Sequence, residues 1–212
     1  LMWRAKRPEE PAWDTALGHG RPGWHIECVA IALDHLGMSF DVQGGGNDLV
    51  FPHHEMGAAH AEAITASWPY ARHYVHVGMV GYEGHKMSKS RGNLVFVSRL
   101  LSDGVNPNDL RLSLINHHYR HDWEWTSAEL TAATQRREVW EQAAASGHTS
   151  GAAHTIAQVR DALSDDLDAP RALAMIDTWA ATALTRKPGP PDDGQAMITA
   201  VDALLGVVLA PV

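Results

Sequence analysis

Phe40-Asp-Val-Gln-Gly-Gly-Gly-Asn-Asp48 carries a short alternating apolar run straight into three glycines and an acidic residue. Phe40 and Val42 share one side of a period-two pattern, which predicts a strand over residues 40–43. Residues 44–46 lack side chains, so backbone there can approach a ligand closely. Asp48 just beyond suits ribose hydroxyls, although the same residues also read as a flexible turn with a solvated carboxylate. Upstream, Gly23 opens an amphipathic helix with Ile26, Val29, Ala30, Leu33 and Leu36 on one face and Gly37 as its stop. Residues 1–22, rich in Pro, Gly and Trp, read as an ordered loop. Downstream, the loop 47–54 leads to an Ala-rich helix ending near Ser67, and Tyr74-Val-His-Val-Gly-Met-Val80 alternates as another strand. This succession predicts an α/β core with a parallel sheet, whose ligands bind at the carboxyl ends of the strands.

Beyond Val97 the pattern turns helical. Pro107 starts a helix through Leu110, Leu114 and Ile115, and Thr126-Ser-Ala-Glu129 has the form of a capping box for the next. Further helices are expected over about 153–164, 169–186 and 194–209, separated by Ser-Gly and Lys187-Pro-Gly-Pro-Pro191 linkers. Leu163, Leu167, Leu173, Ile176, Trp179 and Leu184 are expected to form their core.

At 212 residues the chain can bury a sizeable core. Its formal net charge of -8 argues against strong non-specific nucleic-acid binding, which depends on neutralising phosphates. Cys28 is the single cysteine, so no internal disulfide framework exists. No apolar stretch approaches the roughly 18 residues that span a bilayer, and Leu1-Met-Trp-Arg-Ala-Lys-Arg7 lacks the apolar core of a signal peptide. A soluble, cytoplasmic protein is expected.

The residues with chemical promise are few. Lys86-Met-Ser-Lys-Ser-Arg-Gly-Asn93 sets two lysines three apart in a polar turn. Each ammonium is a mobile point charge able to stabilise phosphoryl oxygens, and the run equally suits a solvated basic loop. Cys28 and His53 are of the ligand types zinc prefers, but two residues do not close a site, and a lone cysteine also packs as a small hydrophobe. Trp24 can pack in a core or wall a pocket, and His25, His54 and His60 read as structural histidines.

Taken together, Gly23-Trp-His-Ile-Glu-Cys28, Gly44-Gly-Gly-Asn-Asp48, Phe51-Pro-His-His-Glu55 and Lys86-Met-Ser-Lys-Ser90 resemble the cysteinyl-tRNA synthetase branch of the class I synthetases, in order and spacing, over roughly residues 1–126. His117-His-Tyr-Arg120 and Asp165-Asp-Leu-Asp-Ala-Pro170 extend the likeness. Two departures stand out. Where that family completes its metal site with a glutamate four residues after the zinc histidine, this chain has Gly57, and only some 120 residues follow the lysine loop. Both features, with Arg91-Gly-Asn-Leu-Val-Phe-Val-Ser98 and Gly57-Ala-Ala-His-Ala-Glu62, look like the mycothiol-pathway relatives that join cysteine to glucosaminyl-inositol.

The resemblance implies the C-terminal part of a Rossmann-like catalytic domain over 1–97, connecting helices over 98–126 and a helical bundle over 127–212. It implies ATP (with Mg2+), L-cysteine and glucosaminyl-inositol as substrates of a monomeric enzyme, without nucleic acid or membrane. Cys28 and His53 would hold one zinc ion, its further ligand coming from an N-terminal portion of the same enzyme. That portion would also carry the family's His-Ile-Gly-His-type turn, absent here, so the 212 residues alone are expected to be inactive and to retain zinc weakly. Trp24 and His25 would line the aminoacyl pocket, Gly46, Asn47 and Asp48 the adenylate ribose, and Met79 and Val80 the adenine. Lys86 and Lys89, with Ser88 and Ser90 beside them, would act on the triphosphate. The alternatives are a cysteinyl-tRNA synthetase and a non-catalytic nucleotide-binding module.

Overall fold

The computed structural model describes residues 2–146, 151–185 and 192–210 and divides into two compact units, Leu1–Met79 and Val80–Val212. The Ser-Gly linker at 147–150, the linker at 187–191 and the predicted helix end at 186 lie outside the described residues.

In the first unit, residues 1–22 form a three-stranded antiparallel sheet rather than a loop. β3 (Gly18–Pro22) lies between β1 (Trp3–Ala5) and β2 (Trp13–Thr15), with Gly20 opposite both Ala5 and Trp13. α1 (Trp24–His35) follows, and Gly37 beyond it takes a φ of +72° that ends the helix. Val29 is its buried anchor, with Ile26, Ala32 and Leu33 packed around it, while Ala30 and Leu36 of the expected face are exposed. β4 (Phe40–Gly46) runs three residues further than predicted, so the glycines are strand rather than turn. It pairs in parallel with β5 (Ala71–Val77), Gly45 facing His76. Between them α2 (Glu55–Thr65) lies against α1, where a Cβ on Gly57 would sit 3.4 Å from Val29 Cγ2. Phe40 and Tyr70 meet edge to face at 5.0 Å and close this small core.

The second unit opens with β6 (Val80–Tyr82) and β7 (His85–Lys86), an antiparallel pair joined by Glu83-Gly84. Both linking residues have positive φ, as a two-residue hairpin turn requires. β8 (Trp123–Glu124) adds in parallel to the other side of β6. Val80 therefore belongs to a different sheet from Tyr74, and the predicted strand 74–80 is two elements. The helices are α3 (Val97–Ser102), α4 (Pro107–Ile115), α5 (Ser127–Ala145), α6 (Ala152–Ser164), α7 (Ala169–Thr185) and α8 (Asp192–Leu205). Asn106 caps α4 by accepting from the Asn108 amide at 2.9 Å, ahead of Pro107.

Leu173, Ile176 and Trp179 of α7 are buried as expected, around Trp140 of α5, which has no exposed surface. Leu167 and Leu184 are not core. Leu167 follows Asp166 in a loop where both have φ of +54°, and Leu184 lies near the exposed end of α7. Thr126 starts α5 without a side-chain cap: the Glu129 amide donates to the Thr126 carbonyl at 3.1 Å, and the Glu129 carboxylate meets His117 Nε2 at 3.2 Å.

Candidate active site

Gly23, extended at φ -77° and ψ 150°, sets Trp24 and His25 on the first turn of α1. His53 sits at the end of the irregular turn Val50–His54 that leads into α2. The two segments meet through their rings. Trp24 stacks on His53 with centroids 4.2 Å apart, and the Nδ1 atoms of His25 and His53 share a hydrogen bond of 3.0 Å. Trp24 remains 55% exposed, so its open face meets solvent rather than a core. Cys28, one helical turn on, is also exposed.

The glycines at the carboxyl end of β4 make room for specific side chains. A Cβ on Gly45 would lie 2.7 Å from His54 Cε1, and one on Gly46 would lie 2.6 Å from Asp48 Oδ1 and 3.3 Å from Met79 Sδ. Gly46, Asp48 and Met79 are thus brought together, and Asn47 opens the short helical turn Asn47–Leu49 beside them. Sequence reasoning missed the layer beneath. Gln43 Nε2 and His54 Nε2 are 3.1 Å apart, and His54 Nδ1 and His76 Nε2 are 2.7 Å apart, which ties both strands to the start of α2. The one available signal was His76 on the alternating run; its partnership depends on sheet register, which the sequence does not print.

Burial, then the neighbouring His25, lowers the His53 pKa, and burial, then His76 and His53, lowers that of His54. The shift is toward the neutral imidazole that a divalent metal requires, and with Nδ1 engaged by His25 the remaining ring nitrogen of His53 is Nε2. An exposed thiol and a neutral imidazole fit zinc in donor type. Among the described residues, no three His, Cys, Asp or Glu side chains are gathered as a metal-binding group.

Lys86 ends β7 in the second unit, and Ser88, Lys89 and Ser90 lie on the loop that leaves it. Residues 89–91 form one tight helical turn, and Gly92 at φ +68° reverses the chain behind it. Lys86, Lys89 and Ser90 are exposed. No helix among the described residues is long and apolar enough to cross a membrane.

Comparison with known proteins gives this geometry a context. The chain is 59% identical over 209 residues to a Thermobifida fusca (strain YX) protein named L-cysteine:1D-myo-inositol 2-amino-2-deoxy-alpha-D-glucopyranoside ligase, covering 99% of this chain and 51% of that one. Proteins of the same name from Nocardiopsis dassonvillei and Streptomyces griseus are 60% and 58% identical, with the same coverage. The chain spans about half the length of these curated relatives. Among solved structures, LeuRS of Agrobacterium radiobacter K84, in a ternary complex with tRNA and LeuAMS, matches 97% of this chain and 32% of its own. The TM-score is 0.57 at 13% identity, a likeness of fold alone. The family model described as tRNA synthetases class I (C) catalytic domain matches residues 1–135, and on that match the chain belongs to the class I (C) tRNA synthetase catalytic domain family.

Proposed function

We propose that this chain serves an ATP-dependent, amide-forming ligase of mycothiol biosynthesis, a cytoplasmic enzyme that joins L-cysteine to the amine of glucosaminyl-inositol. The observation that carries the reading is 59% identity over 209 residues to a protein named for that reaction. In the first step the cysteine carboxylate attacks the α-phosphorus of ATP, and pyrophosphate leaves. In the second the amine nitrogen attacks the acyl carbon, AMP departs with the bonding pair, and the nitrogen releases one proton to solvent as the amide forms.

Trp24 and His25 line the aminoacyl pocket in this reading, which the open face of Trp24 supports. Gly46, Asn47 and Asp48 receive the ribose, and Met79 and Val80 border adenine. Lys86 and Lys89, with Ser88 and Ser90, neutralise charge as it develops on the leaving pyrophosphate, with Mg2+ accompanying the nucleotide. Cys28 and His53 are the residues of this chain that would hold zinc, which when bound supplies a soft anchor for the substrate thiolate and a means of rejecting serine. The division into a Rossmann-like nucleotide-binding region through Val97, connecting helices over 98–126 and a helical bundle over 127–212 is part of the same proposal. Cys28→Ala is expected to abolish bound zinc in the complete polypeptide; unchanged metal content would remove that assignment.

The second reading, cysteine transfer to tRNA, is favoured by the name of the matching family model. Acceptor profiling separates the two. After cysteine-dependent pyrophosphate exchange is established, labelled cysteine should pass to glucosaminyl-inositol and not to tRNA. Exclusive charging of tRNA would reverse the conclusion.

A further inference from the structure

The lysine loop is closed on itself by one side chain. Asn93 Oδ1 accepts from the Ser88 amide at 2.9 Å, and Asn93 Nδ2 donates to the Lys86 carbonyl at 3.3 Å. A single carboxamide therefore joins the first limb of the loop to the last across seven residues. Only a group with donor and acceptor on one short stem can do this. Gly92 makes it possible, because its left-handed backbone folds residue 93 back toward residue 86. Inside the closed ring, Ser88 and Ser90 hydroxyls are 3.3 Å apart, and residues 89–91 complete a tight turn.

The base of the ring is fixed independently. The Met87 amide donates to the Val80 carbonyl at 3.2 Å, and the Met87 side chain lines an apolar cavity of about 160 Å3 with Val80, Val95, Leu100, Trp123 and Trp125. Lys86 and Lys89 flank this anchored methionine, so their backbone positions follow from two constraints: Met87 holds the floor and Asn93 holds the rim.

We propose that Asn93 is a positioning residue that locks the span from Lys86 to Ser90 into one turn, so that both ammonium groups reach the triphosphate as a preformed pair. This rests on the reading of the loop as the triphosphate-handling element. Without the carboxamide the loop would have to be ordered in every catalytic cycle, and that ordering cost would fall on the activation step. The effect belongs in kcat for adenylate formation and not in cysteine binding.

The test uses Asn93→Ala and Asn93→Asp in the complete polypeptide, with Lys89→Ala as reference. Aspartate keeps an oxygen for the Ser88 amide but sets a second oxygen against the Lys86 carbonyl. Both Asn93 variants should lower kcat for cysteine-dependent pyrophosphate exchange by roughly tenfold, about what one lost net hydrogen bond allows. KM for cysteine and the unfolding temperature should stay unchanged. Hydrogen exchange at the Ser88 amide should accelerate in the alanine variant and stay slow in the aspartate variant. Wild-type kcat in both variants, or unchanged Ser88 exchange in the alanine variant, would overturn the proposal. If the wild type shows no exchange reaction while the Ser88 amide still depends on Asn93, the latch stands and the functional reading of the loop fails.

Discussion

Replacing Arg137 by methionine should be among the most damaging single changes in the helical unit. Asp109 is a carboxylate only 3% exposed, on the first turns of α4. It receives Arg137 Nε at 2.5 Å and the Thr134 hydroxyl at 2.7 Å, both from α5, and Arg137 also reaches Glu141 at 3.0 Å. Its partners hold the Arg137 guanidinium firmly protonated, the Asp109 hydrogen bond contributing most and the Glu141 bond less, against burial. Removing one member of a buried pair costs about 3–5 kcal/mol, because the survivor keeps its desolvation penalty without its partner. Thr134 supplies one remaining hydrogen bond, which places the expected loss at the lower end, about 3 kcal/mol. For a chain of this size that is a drop of roughly 10 °C in unfolding temperature. The assay is urea or thermal unfolding followed by circular dichroism, with a double-mutant cycle. Asp109→Leu in the Arg137→Met background should recover much of the loss, since the stranded charge is then gone. A single variant costing under about 1 kcal/mol, or a double variant worse than either single, would refute the claim that Asp109 is a desolvated ion relying on Arg137.

Two further outcomes follow from local geometry. In Gly194→Ala the new Cβ of α8 would lie 2.3 Å from the Ala144 carbonyl oxygen, and because the obstacle is backbone the helices must separate, at about 1–3 kcal/mol in chemical denaturation; no loss would mean that α5 and α8 cross further apart. Hydrogen bonds from Arg120 and then Tyr119 hold the Asp166 carboxyl well below the usual aspartate range. That contribution is full above the unfolded value of about 4 and fades as pH falls through the lower folded value. The unfolding-temperature gap between wild type and Asp166→Asn, measured from pH 7 to pH 2, should therefore narrow on acidification; a constant gap would break the linkage.

The strands and helices with strong local periodicity were legible in the sequence, and the misses share one cause. Residues 1–22 contain three strands too short to alternate, and β3 reads Gly-His-Gly-Arg-Pro, a composition that favours turns until two partners pair with it. The glycines of β4 argue locally for a turn, yet all three pair with β5. Glu129 was read as half of a capping box, but His117, stacked on Trp123 at 4.1 Å, offers it a tertiary partner. In each case a contact distant in sequence outweighs a local preference of a few tenths to about 1 kcal/mol.

The same division applies to the site. Residue types made Cys28, His53 and the lysine loop candidates, because the chemistry of those side chains is local information, whereas Trp24 and His25 took their expected places only from the family resemblance. The His54 and His76 pair was not legible, because it exists only at one register of β4 against β5. Gly45 faces His76, and the absent Cβ at Gly45 is where the His54 ring lies. Sliding β5 by one residue would turn His76 to the opposite face of the sheet and leave His54 Nδ1 without that partner. Gly45, His54 and His76 therefore act as a lock on register, and this register fixes the carboxyl end of β4, where Gly46 and Asp48 stand. The glycines that first read as access for a ligand include one, Gly45, that gives access to a histidine. Both uses demand the same missing side chain, so spacing alone could not have told them apart.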